Sequence, residues 1–552
     1  MPKRAAARKA LQQLWNAEVS SEDEQLVESD EVPVNTSLCV SGESSQDESE
    51  SADDEESNAT SATYTSKDGT TWTKAEVNSS GSGRPPSRNL FSKSPGIKPF
   101  AKGKIDSEVS AWRLLFTPRM MKLILDCTIE KGKESDESFS LTLDELESFI
   151  GLLYLRGVLF LNKADVHDLF SCEFGVSFFR ETMSRDRFLD IMTNLRFDKK
   201  STRCSRVVED VFTHIRELYV EFVENSKHVY QPYPFLTVDE QLLPSKNRCK
   251  FLQFMASKPD KNGIKEWLLV DVKTKYCVNQ IPYLGKDHSE DTTSGSQESM
   301  GSKVVKELIE PFENCGYHIT ADNFFTSAPL AKHLLQKRTT FLGTLRPNSR
   351  SIPRDMVTKN KDLFQSDFFE SDDVLMVNYQ CKAKKSVSLL STLHCSPKIV
   401  DESEKKKPEI VVDYNQTKTG VDTLDQMLRI YSTKAATRRW PVCVFYDLLN
   451  KAAINAHVLY CEAVTHVPRK RFLHALSKQL CEPMRSKRKR KAEASKEAVK
   501  NKQKRVTCSF SSCENKTYNF CDDCDKAFCG KHGRKNIVCK LNCDQCQSAG
   551  DS

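Results

Sequence analysis

The pattern of apolar and polar positions changes twice along the 552-residue chain. Residues 1–104 are rich in Ser, Asp, Glu, Gly and Thr and hold few aromatic side chains, so they cannot bury enough apolar surface to offset the entropy of ordering. Over residues 105–232, apolar positions recur every three or four residues, as in LTLDELESFIGLLYL and SRDRFLDIMTNLRF, with Ser184 as the N-cap of the second helix. We therefore predict a disordered acidic N-terminal region followed by helices.

After Pro232 the pattern becomes strand-like and predicts a mixed sheet. FLTVDEQL is the first strand, and IKEWLLVDV and KYCVNQIPYL form a hairpin around Lys273–Thr274. A helix (SKVVKELIEPF), a strand (YHITAD), a helix (LAKHLLQK) and a strand (TTFLGTLR) follow, which predicts an α/β fold with helices packed on the sheet. A β-hairpin and a charged loop interrupt this pattern over 347–408. Helical periodicity returns over 440–480, and we expect that stretch to pack on the earlier helices.

Three aspartates stand where strands or a helix would direct them to one point. Asp239 is in the middle of the first strand, Asp322 ends the fourth strand, and Asp422 begins a helix on which Asp425 shares its face. Carboxylates in such places are costly to desolvate unless they hold a cation. Two cations about 3.5–4 Å apart, held by carboxylates, are the usual means of phosphodiester cleavage and transfer. The pattern predicts an enzyme that cuts and joins DNA. For any single aspartate the alternative is a turn residue or a helix cap.

The net charge of +6 conceals a segregated distribution. Acidic stretches lie in the first hundred residues, and a basic run, RSKRKRKAEASKEAVKNKQKR, extends from Arg485 to Arg505. The basic run predicts a nuclear localisation signal or a phosphate-binding linker, the alternative being a solvated spacer. Its candidate DNA contacts are Arg485, Lys487, Arg488, Lys489, Arg490 and Lys491. We expect no membrane segment, because FIGLLYLRGVLFL is too short and contains Arg156, and no secretory signal, so the 20 cysteines are expected to be reduced.

Eight potential metal ligands crowd into the C-terminal tail. They form four pairs: Cys508 with Cys513, Cys521 with Cys524, Cys529 with His532, and Cys543 with Cys546. Four pairs suffice for two tetrahedral zinc ions, and our preferred assignment is cross-braced, the first pair with the third and the second with the fourth. A segment this short and polar needs such staples to fold. The first pair has a wider gap than usual and Cys539 is left over. The alternative is a tail of reduced cysteines without metal.

The sequence resembles the piggyBac family of DNA transposases in several blocks in the same order. They are TVDEQLLP, GIKEWLLVDVKTKYCVNQIPYLG, ADNFFTSAPLAKHLLQ, GTLRPNSRSIP, DYNQTKTGVDTLDQM and RRWPVCVFY, within about 105–480, and the cysteine tail is a further match. The resemblance implies an α/β ribonuclease-H-like catalytic core with an inserted β-rich domain, flanked by a two-part helical dimerisation and DNA-binding domain. We assign 1–104 to the acidic N-terminal region, 105–232 and 437–480 to the helical domain, and 233–346 and 409–436 to the catalytic domain. The insertion domain is 347–408, the basic linker 481–506 and the cysteine-rich zinc domain 507–548.

The resemblance also assigns roles to individual residues. The acidic catalytic residues of the family fall onto Asp239, Asp322 and Asp422, and its additional carboxylate onto Asp425. For Asp425, metal ligation, support of a ligand and a plain charge on the helix surface remain open. Its basic residue falls onto Arg346. A second basic position is Ser349 here, with Arg350 next to it, and the tryptophan of the RWP motif is Trp440. The alternatives are rim charges for the two arginines and simple core packing for the tryptophan, against a base-stacking role.

The resemblance thus implies a nuclear, homodimeric transposase that uses two Mg²⁺ or Mn²⁺ ions held by Asp239, Asp322 and Asp422. Such enzymes nick the 3′ ends of their element, form hairpin ends and join them to TTAA targets, and similar tails bind the transposon ends. Two other interpretations remain open. One is a domesticated descendant that binds DNA or chromatin without transposition. The other takes the cross-braced tail as a ubiquitin-ligase or histone-reading module.

Overall fold

The structure, a computed structural model, describes most of the chain from residue 63 onward. The described residues are 63–77, 90–256, 258–285, 298–353, 356, 362–383, 385–400, 405–502, 505–521, 524–535 and 541–543. They form two compact units, one within residues 1–165 and 189–480, the other within 166–188 and 481–552. The predicted disorder of residues 1–62 and 78–89 lies outside the described residues. None of the described helices is long and apolar enough to cross a membrane.

The strands are numbered along the chain. They are β1 (Thr63–Thr65), β2 (Thr71–Ala75), β3 (Gly96–Ile97), β4 (Tyr230–Gln231), β5 (Phe235–Pro244), β6 (Leu252–Phe254), β7 (Asn262–Asp271), β8 (Cys277–Pro282), β9 (His318–Ala321), β10 (Thr340–Leu345), β11 (Ser366–Ser371), β12 (Val374–Lys382), β13 (Lys385–Ser391), β14 (Val506–Thr507), β15 (Lys516–Thr517), β16 (Gly533–Lys535) and β17 (Leu541–Cys543).

The helices are numbered in the same way. They are α1 (Pro99–Lys102), α2 (Glu108–Arg113), α3 (Pro118–Lys133), α4 (Leu143–Val158), α5 (Val166–Leu169), α6 (Ser177–Thr182), α7 (Arg185–Asn194), α8 (Arg203–Glu209), α9 (Arg216–Val229), α10 (Met300–Ile309), α11 (Ala328–Gln336), α12 (Glu409–Thr417), α13 (Gly420–Ile430), α14 (Trp440–Ala463) and α15 (Arg469–Lys502), with 3₁₀ turns at Lys200–Thr202 and Glu310–Phe312.

One mixed sheet of eleven strands organises the first unit. Its order is β1-β2-β11-β12-β13-β10-β9-β5-β7-β6, and β8 also pairs with β7. At its centre β5 runs antiparallel to β7 and parallel to β9, and β9 runs parallel to β10. The α/β class and the predicted hairpin β7–β8 are confirmed. The β-rich insertion is also confirmed, but its strands continue the central sheet, because β13 pairs with β10 along four residues.

The prediction that residues 1–104 are disordered is wrong for 90–104, which hold β3 and α1, and for the stretch 63–77. There β1 and β2 form a hairpin, and β2 pairs with β11 at the edge of the sheet. The hairpin is held by Trp72, whose side chain is fully buried and donates from Nε1 to the carbonyl of Ser351 at 3.0 Å. This tryptophan buries enough apolar surface to order the hairpin, although the composition of residues 1–104 as a whole predicts disorder.

The helices before and after the sheet pack together, as predicted. The long helix α14 is buried along most of its length, and Phe445 on it contacts Phe116. The indole of Trp112 donates to the hydroxyl of Tyr154, which in turn donates to the carbonyl of Leu449 on α14. Residues 105–165 and 440–480 thus share one core, which anchors the helix that follows the third candidate aspartate.

Local capping explains where several of these helices begin. Thr142 and Glu145 form a capping box at the start of α4. Ser184 accepts from the backbone N–H of Arg187 at 3.3 Å, which confirms it as the cap of α7. The basic run, predicted as a linker over 481–506, lies mostly on α15, which continues through Pro483 to Lys502.

Candidate active site

Strand register places two of the predicted aspartates side by side. In the parallel pair of β5 and β9, Val238 lies opposite Ala321. Asp239 is the next residue of β5, and Asp322 follows β9 immediately. The prediction that neighbouring strands bring these two carboxylates together is therefore confirmed. The backbone N–H of Phe324 donates to Asp322 Oδ1 at 2.8 Å and fixes its side chain in the turn after the strand.

The third aspartate lies on a helix, α13, that packs against β5 and β7. Asp422 is exposed in the first turn of α13, where the helix dipole favours an anion. Asp425 lies one turn further on and accepts from Gln241 Nε2 at 3.3 Å and from Arg429 Nε at 3.2 Å. Because both of these contacts engage the Asp425 carboxylate, it is tied to the protein more firmly than Asp422.

The carboxylates act on one another electrostatically. Burial raises the pKa of Asp239 well above its usual value, and Asp322, Glu240 and Asp422 raise it further. Burial also raises the pKa of Asp322, against which the backbone N–H of Phe324 and the charge of Arg346 work. The hydroxyl of Tyr414, whose pKa is raised first by burial, is influenced by all three aspartates. The carboxylates of Asp322 and Asp422 are therefore close enough to Asp239 to disfavour its charged form.

The carboxylate oxygens are nevertheless not drawn into one tight cluster. In the part of the chain that the structure describes, three or more potential metal ligands with all their ligand atoms within 4.8 Å of one another occur in the C-terminal tail alone. The aspartates do not form such a group. The aspartates are thus spread more widely than the donors of a single closed metal site. Their carboxylate oxygens nevertheless suit an oxygen-liganded cation. A cation between them would offset the repulsion between their like charges.

The predicted DNA-contacting arginines differ in their surroundings. Arg346 is exposed directly after β10 and donates from Nε to Asn323 Oδ1 at 2.9 Å, which holds its guanidinium beside Asp322. Arg350 is exposed as well, and its carbonyl accepts from the backbone N–H of Asp68 in the N-terminal hairpin. Arg346 therefore lies beside Asp322 at the edge of the site, whereas the contact of Arg350 is with the N-terminal hairpin. A phosphate-binding role of either arginine stays a prediction.

Trp440 packs against aromatic side chains and also lines a cavity, and its base-stacking role stays a prediction. Its ring stacks on Phe212, with centroids 5.5 Å apart, and lies edge-on to Phe251. It is only half-buried, and it also lines a cavity of about 290 Å³. Arginines dominate the polar part of this cavity wall, which includes Arg196, Arg203, Arg438 and Arg439. One face of the indole is thus core, while the cavity offers space beside a basic surface.

A buried ionic network lies behind Asp425. Lys451 on α14 has a fully buried ammonium that contacts Glu266 at 2.6 Å and Asp447 at 2.7 Å. Gln241 connects this network to the site, because its Nε2 lies within 3.4 Å of both Asp447 Oδ1 and Asp425 Oδ1. Although burial opposes it, the two carboxylates raise the pKa of Lys451, so the lysine is charged in the core.

Four ligands of the tail form the closed cluster. It joins the first predicted pair, Cys508 and Cys513, to the third, Cys529 and His532. The Sγ atoms of Cys513 and Cys529 are 3.8 Å apart, and His532 Nδ1 lies 3.4 Å from Cys508 Sγ. A tetrahedral zinc ion with its usual bond lengths requires about 3.8 Å between sulfurs and about 3.5 Å between sulfur and nitrogen. The pairing of first with third agrees with the cross-braced prediction.

Within this cluster the pKa is lowered for Cys508 and Cys529 and raised for Cys513. The backbone N–H of Lys531, aided by the side chain of Asn515, lowers the pKa of Cys529 to about 6. Of the second predicted site, Cys521 is buried and Cys524 is exposed. The side chain of Cys543, and Cys539 and Cys546 altogether, lie outside the described residues, so that site remains a prediction.

The residues of the basic run also separate into two kinds. Lys487, Arg488, Lys489, Arg490 and Lys491 are exposed on α15. Arg485 is half-buried instead. Its guanidinium pairs with Glu181 at 2.5 Å and lies 4.2 Å from the ring centroid of Phe178. Arg485 is therefore engaged within its own unit, and the other five are the better candidates for phosphate contacts.

Sequence reasoning missed the residues that support the aspartates from behind. Thr237 and Thr320 stand two positions before Asp239 and Asp322, and both bond to Thr417 on α12. The repeated pattern Thr-x-Asp in the two strands, TVD and TAD, is the signal that points to them. The Lys451 network offered no such signal, because its members lie on three separate elements.

Comparison with known proteins shows the family of the chain. The family model described as Transposase IS4 matches residues 107–457, more than half of the chain. Human piggyBac transposable element-derived protein 3 is 23% identical over 350 residues, which are 58% of this chain and 56% of that protein. Human piggyBac transposable element-derived protein 2 is 22% identical over 406 residues, 70% of this chain and 66% of that protein. The chain thus spans less than two thirds of each of these relatives.

A solved structure extends the likeness to three dimensions. The piggyBac transposase synaptic complex with hairpin DNA, determined by cryo-EM, superposes with a TM-score of 0.69 at 31% sequence identity. The match covers 82% of this chain and 100% of that one. Because the family model, the relatives and the fold agree, the chain belongs to the IS4 transposase family and, within it, to the piggyBac group.

Proposed function

We propose that this protein is a cut-and-paste DNA transposase of the piggyBac type, which cleaves transposon ends through hairpin intermediates and joins them to TTAA targets. The observation that carries the proposal is the register of β5 and β9, which sets Asp239 beside Asp322, together with the packing of the Asp422 helix on β5. In a chain of this family, that arrangement is the one that phosphodiester chemistry needs.

The three aspartates suit a pair of divalent ions. A single Mg²⁺ needs its oxygen donors about 2.0–2.1 Å away, hence close to one another, whereas two ions about 3.5–4 Å apart accept a wider spread of carboxylates. The ions would supply activation of the attacking oxygen and stabilisation of the departing one. Asp239, Asp322 and Asp422 would hold them, and Asp425, tied by Gln241 and Arg429, would support the site from one side.

The reaction would follow two kinds of displacement at phosphorus. Water attacks at the 3′ end of the element and frees a 3′-hydroxyl. That hydroxyl then attacks the opposite strand, one phosphodiester forming as another breaks, which gives the hairpin. Arg346, held beside Asp322 by Asn323, is suited to bind the scissile phosphate, and the cavity beside Trp440 is suited to an unpaired base among basic groups.

Further partners follow from the same proposal. The exposed lysines and arginines of α15 would bind duplex phosphates and would also serve as a nuclear localisation signal. The solved relative is a synaptic complex with hairpin DNA, and by analogy this chain would bind transposon ends as a homodimer. Nuclear localisation, the dimer and the TTAA target are all part of the proposal.

An excision assay tests the proposed activity. A donor plasmid carries the genomic flanks of the coding region around a marker, and the full-length protein is expressed with it in cultured cells. We expect marker loss with precise rejoining at a TTAA site. If flanks containing inverted repeats stay uncut while the protein occupies them, the transposase proposal fails and the domesticated DNA-binding interpretation takes its place.

The tail should contain two zinc ions per chain, one of them at Cys508, Cys513, Cys529 and His532. We expect metal analysis of the full-length protein to give two zinc ions, and the variant Cys529→Ala to give one, because three remaining ligands cannot close a structural site. Cys204→Ala, at an exposed cysteine of α8, is the matched control and should retain both ions. Unchanged zinc content in Cys529→Ala would refute the assignment.

A further inference from the structure

Three threonine hydroxyls are joined behind the candidate active site. Thr237 on β5 and Thr320 on β9 lie opposite each other in the parallel pair. Thr237 Oγ1 donates to the carbonyl of Thr417 at 2.6 Å, and Thr320 Oγ1 donates to Thr417 Oγ1 at 2.7 Å. Thr417 Oγ1 donates in turn to the carbonyl of Asp413 at 2.8 Å. All three threonines are buried, so these hydrogen bonds are shielded from water.

The two strand threonines and the two strand aspartates share one face. Side chains two residues apart on a strand point to the same side, so Thr237 lies behind Asp239, and Thr320 lies behind Asp322. Thr417 is the last residue of α12, and Asp422 follows five residues later on α13. The hydroxyls therefore fix the end of α12 on the same two strand segments that carry the first two carboxylates.

The first residue of α13, Gly420, packs closely against Thr237. A Cβ atom on Gly420 would lie 2.7 Å from Thr237 Oγ1 and 3.0 Å from its Cβ. Glycine is thus required for the helix to approach the strand so closely. Asp422 is two residues beyond this contact, which leaves little freedom in where its backbone lies.

We propose that Thr237, Thr320 and Thr417 form a hydroxyl clasp that sets the position of Asp422 relative to Asp239 and Asp322, and thereby the affinity of the site for Mg²⁺. This inference rests on the proposed function. Thr417 is a positioning residue in it, because it acts through the aspartates. Mg²⁺ demands near-ideal octahedral geometry, and loss of a residue that orients metal ligands typically costs 10–100-fold in metal affinity or activity.

The clasp can be opened without unfolding the protein. Apart from the clasp, α13 is held by a hydrophobic cluster formed with β7, β8 and α14, whose members are Leu268, Val270, Cys277, Val421, Leu424, Leu428 and Ile454. Thr417→Val keeps the shape of the side chain and removes its hydroxyl, while Thr417→Ser keeps the hydroxyl. Thr392→Val is the matched control, because its buried hydroxyl accepts from the backbone N–H of Phe341 on β10 and takes no part in the hydrogen bonds of Thr417.

The experiment measures the Mg²⁺ concentration that gives half-maximal cleavage of a radiolabelled transposon-end duplex by the full-length protein, and Mn²⁺ binding by electron paramagnetic resonance. We expect Thr417→Val to raise the half-maximal Mg²⁺ concentration by about 10-fold or more and to weaken Mn²⁺ binding. Thr417→Ser is expected within about threefold of the unmodified protein. Thr392→Val should unfold at the same temperature as Thr417→Val. Its dependence on Mg²⁺ should equal that of the unmodified protein.

Two results would overturn the clasp. One is an equal metal dependence of Thr417→Val and Thr392→Val, and the other is a Thr417→Ser variant as impaired as Thr417→Val. Failure of the proposed function looks different. An unmodified protein that binds Mn²⁺ and cleaves nothing refutes the transposase, while weaker Mn²⁺ binding in Thr417→Val still supports the clasp. An unmodified protein that binds no Mn²⁺ refutes both.

Discussion

Replacing Asp239 with asparagine is expected to abolish DNA cleavage while the fold remains intact. A neutral amide cannot replace a carboxylate that shares divalent ions, and ions at such sites contribute several kcal/mol of charge stabilisation. At about 1.4 kcal/mol for each tenfold change in rate, cleavage should fall by about 1,000-fold or more. The measurement is the rate of 3′-end nicking on a transposon-end duplex, with DNA binding followed by gel shift.

The stability of this variant separates a catalytic role from a structural one. Asp322, Glu240 and Asp422 repel the charge of Asp239, so the amide should unfold at the same temperature as the aspartate or at a higher one. Asp372→Asn, at an exposed aspartate in the turn after β11, is the control and should cleave normally. Nicking by Asp239→Asn at the control rate would contradict the assignment of the metal site.

Replacing Lys451 with methionine should destabilise the first unit by about 3–5 kcal/mol, because it leaves Glu266 and Asp447 as uncompensated buried charges. All three side chains are at most 3% exposed, so water cannot solvate the remaining carboxylates. Thermal unfolding of the full-length protein measures the effect. Cleavage should fall as well, since Gln241 links Asp447 to Asp425.

A compensated variant provides the control for Lys451. Combining Lys451→Met with Glu266→Gln and Asp447→Asn removes all the charges together, so that no uncompensated buried charge remains. We expect the triple variant to recover most of the lost stability. If the single and triple variants unfold at the same temperature, the destabilisation does not arise from unpaired charge. The ion pairs of Lys451 would then not be what stabilises this part of the core.

The sequence was sufficient for features that depend on local pattern. Alternation of apolar residues and the positions of turns predicted β5, β9 and the hairpin β7–β8, and with them the proximity of Asp239 and Asp322. The short spacings of Cys508 with Cys513 and of Cys529 with His532 predicted the ligand pairs, because two ligands in a tight turn can converge on one ion. The joining of the first pair with the third was a preferred assignment, and the cluster agrees with it.

Features that depend on distant partners were not accessible in this way. Asp447 and Lys451 are four residues apart on α14 and have the pattern of an exposed helical ion pair, yet the helix is covered on both sides. Trp72 stands in a polar, acidic region, and its partner Ser351 is 279 positions away. In both cases the stabilising contact comes from an element whose position only the assembled sheet determines.

The hairpin of residues 63–75 has a practical consequence for shortened forms of the protein. Without it, β11 would become the last strand of the sheet, with unpaired N–H and C=O groups along a β-rich margin. Such open margins are templates for pairing with another chain, which leads to aggregation. A protein beginning at residue 107, where the family match starts, would lose solubility even though every candidate catalytic residue is retained.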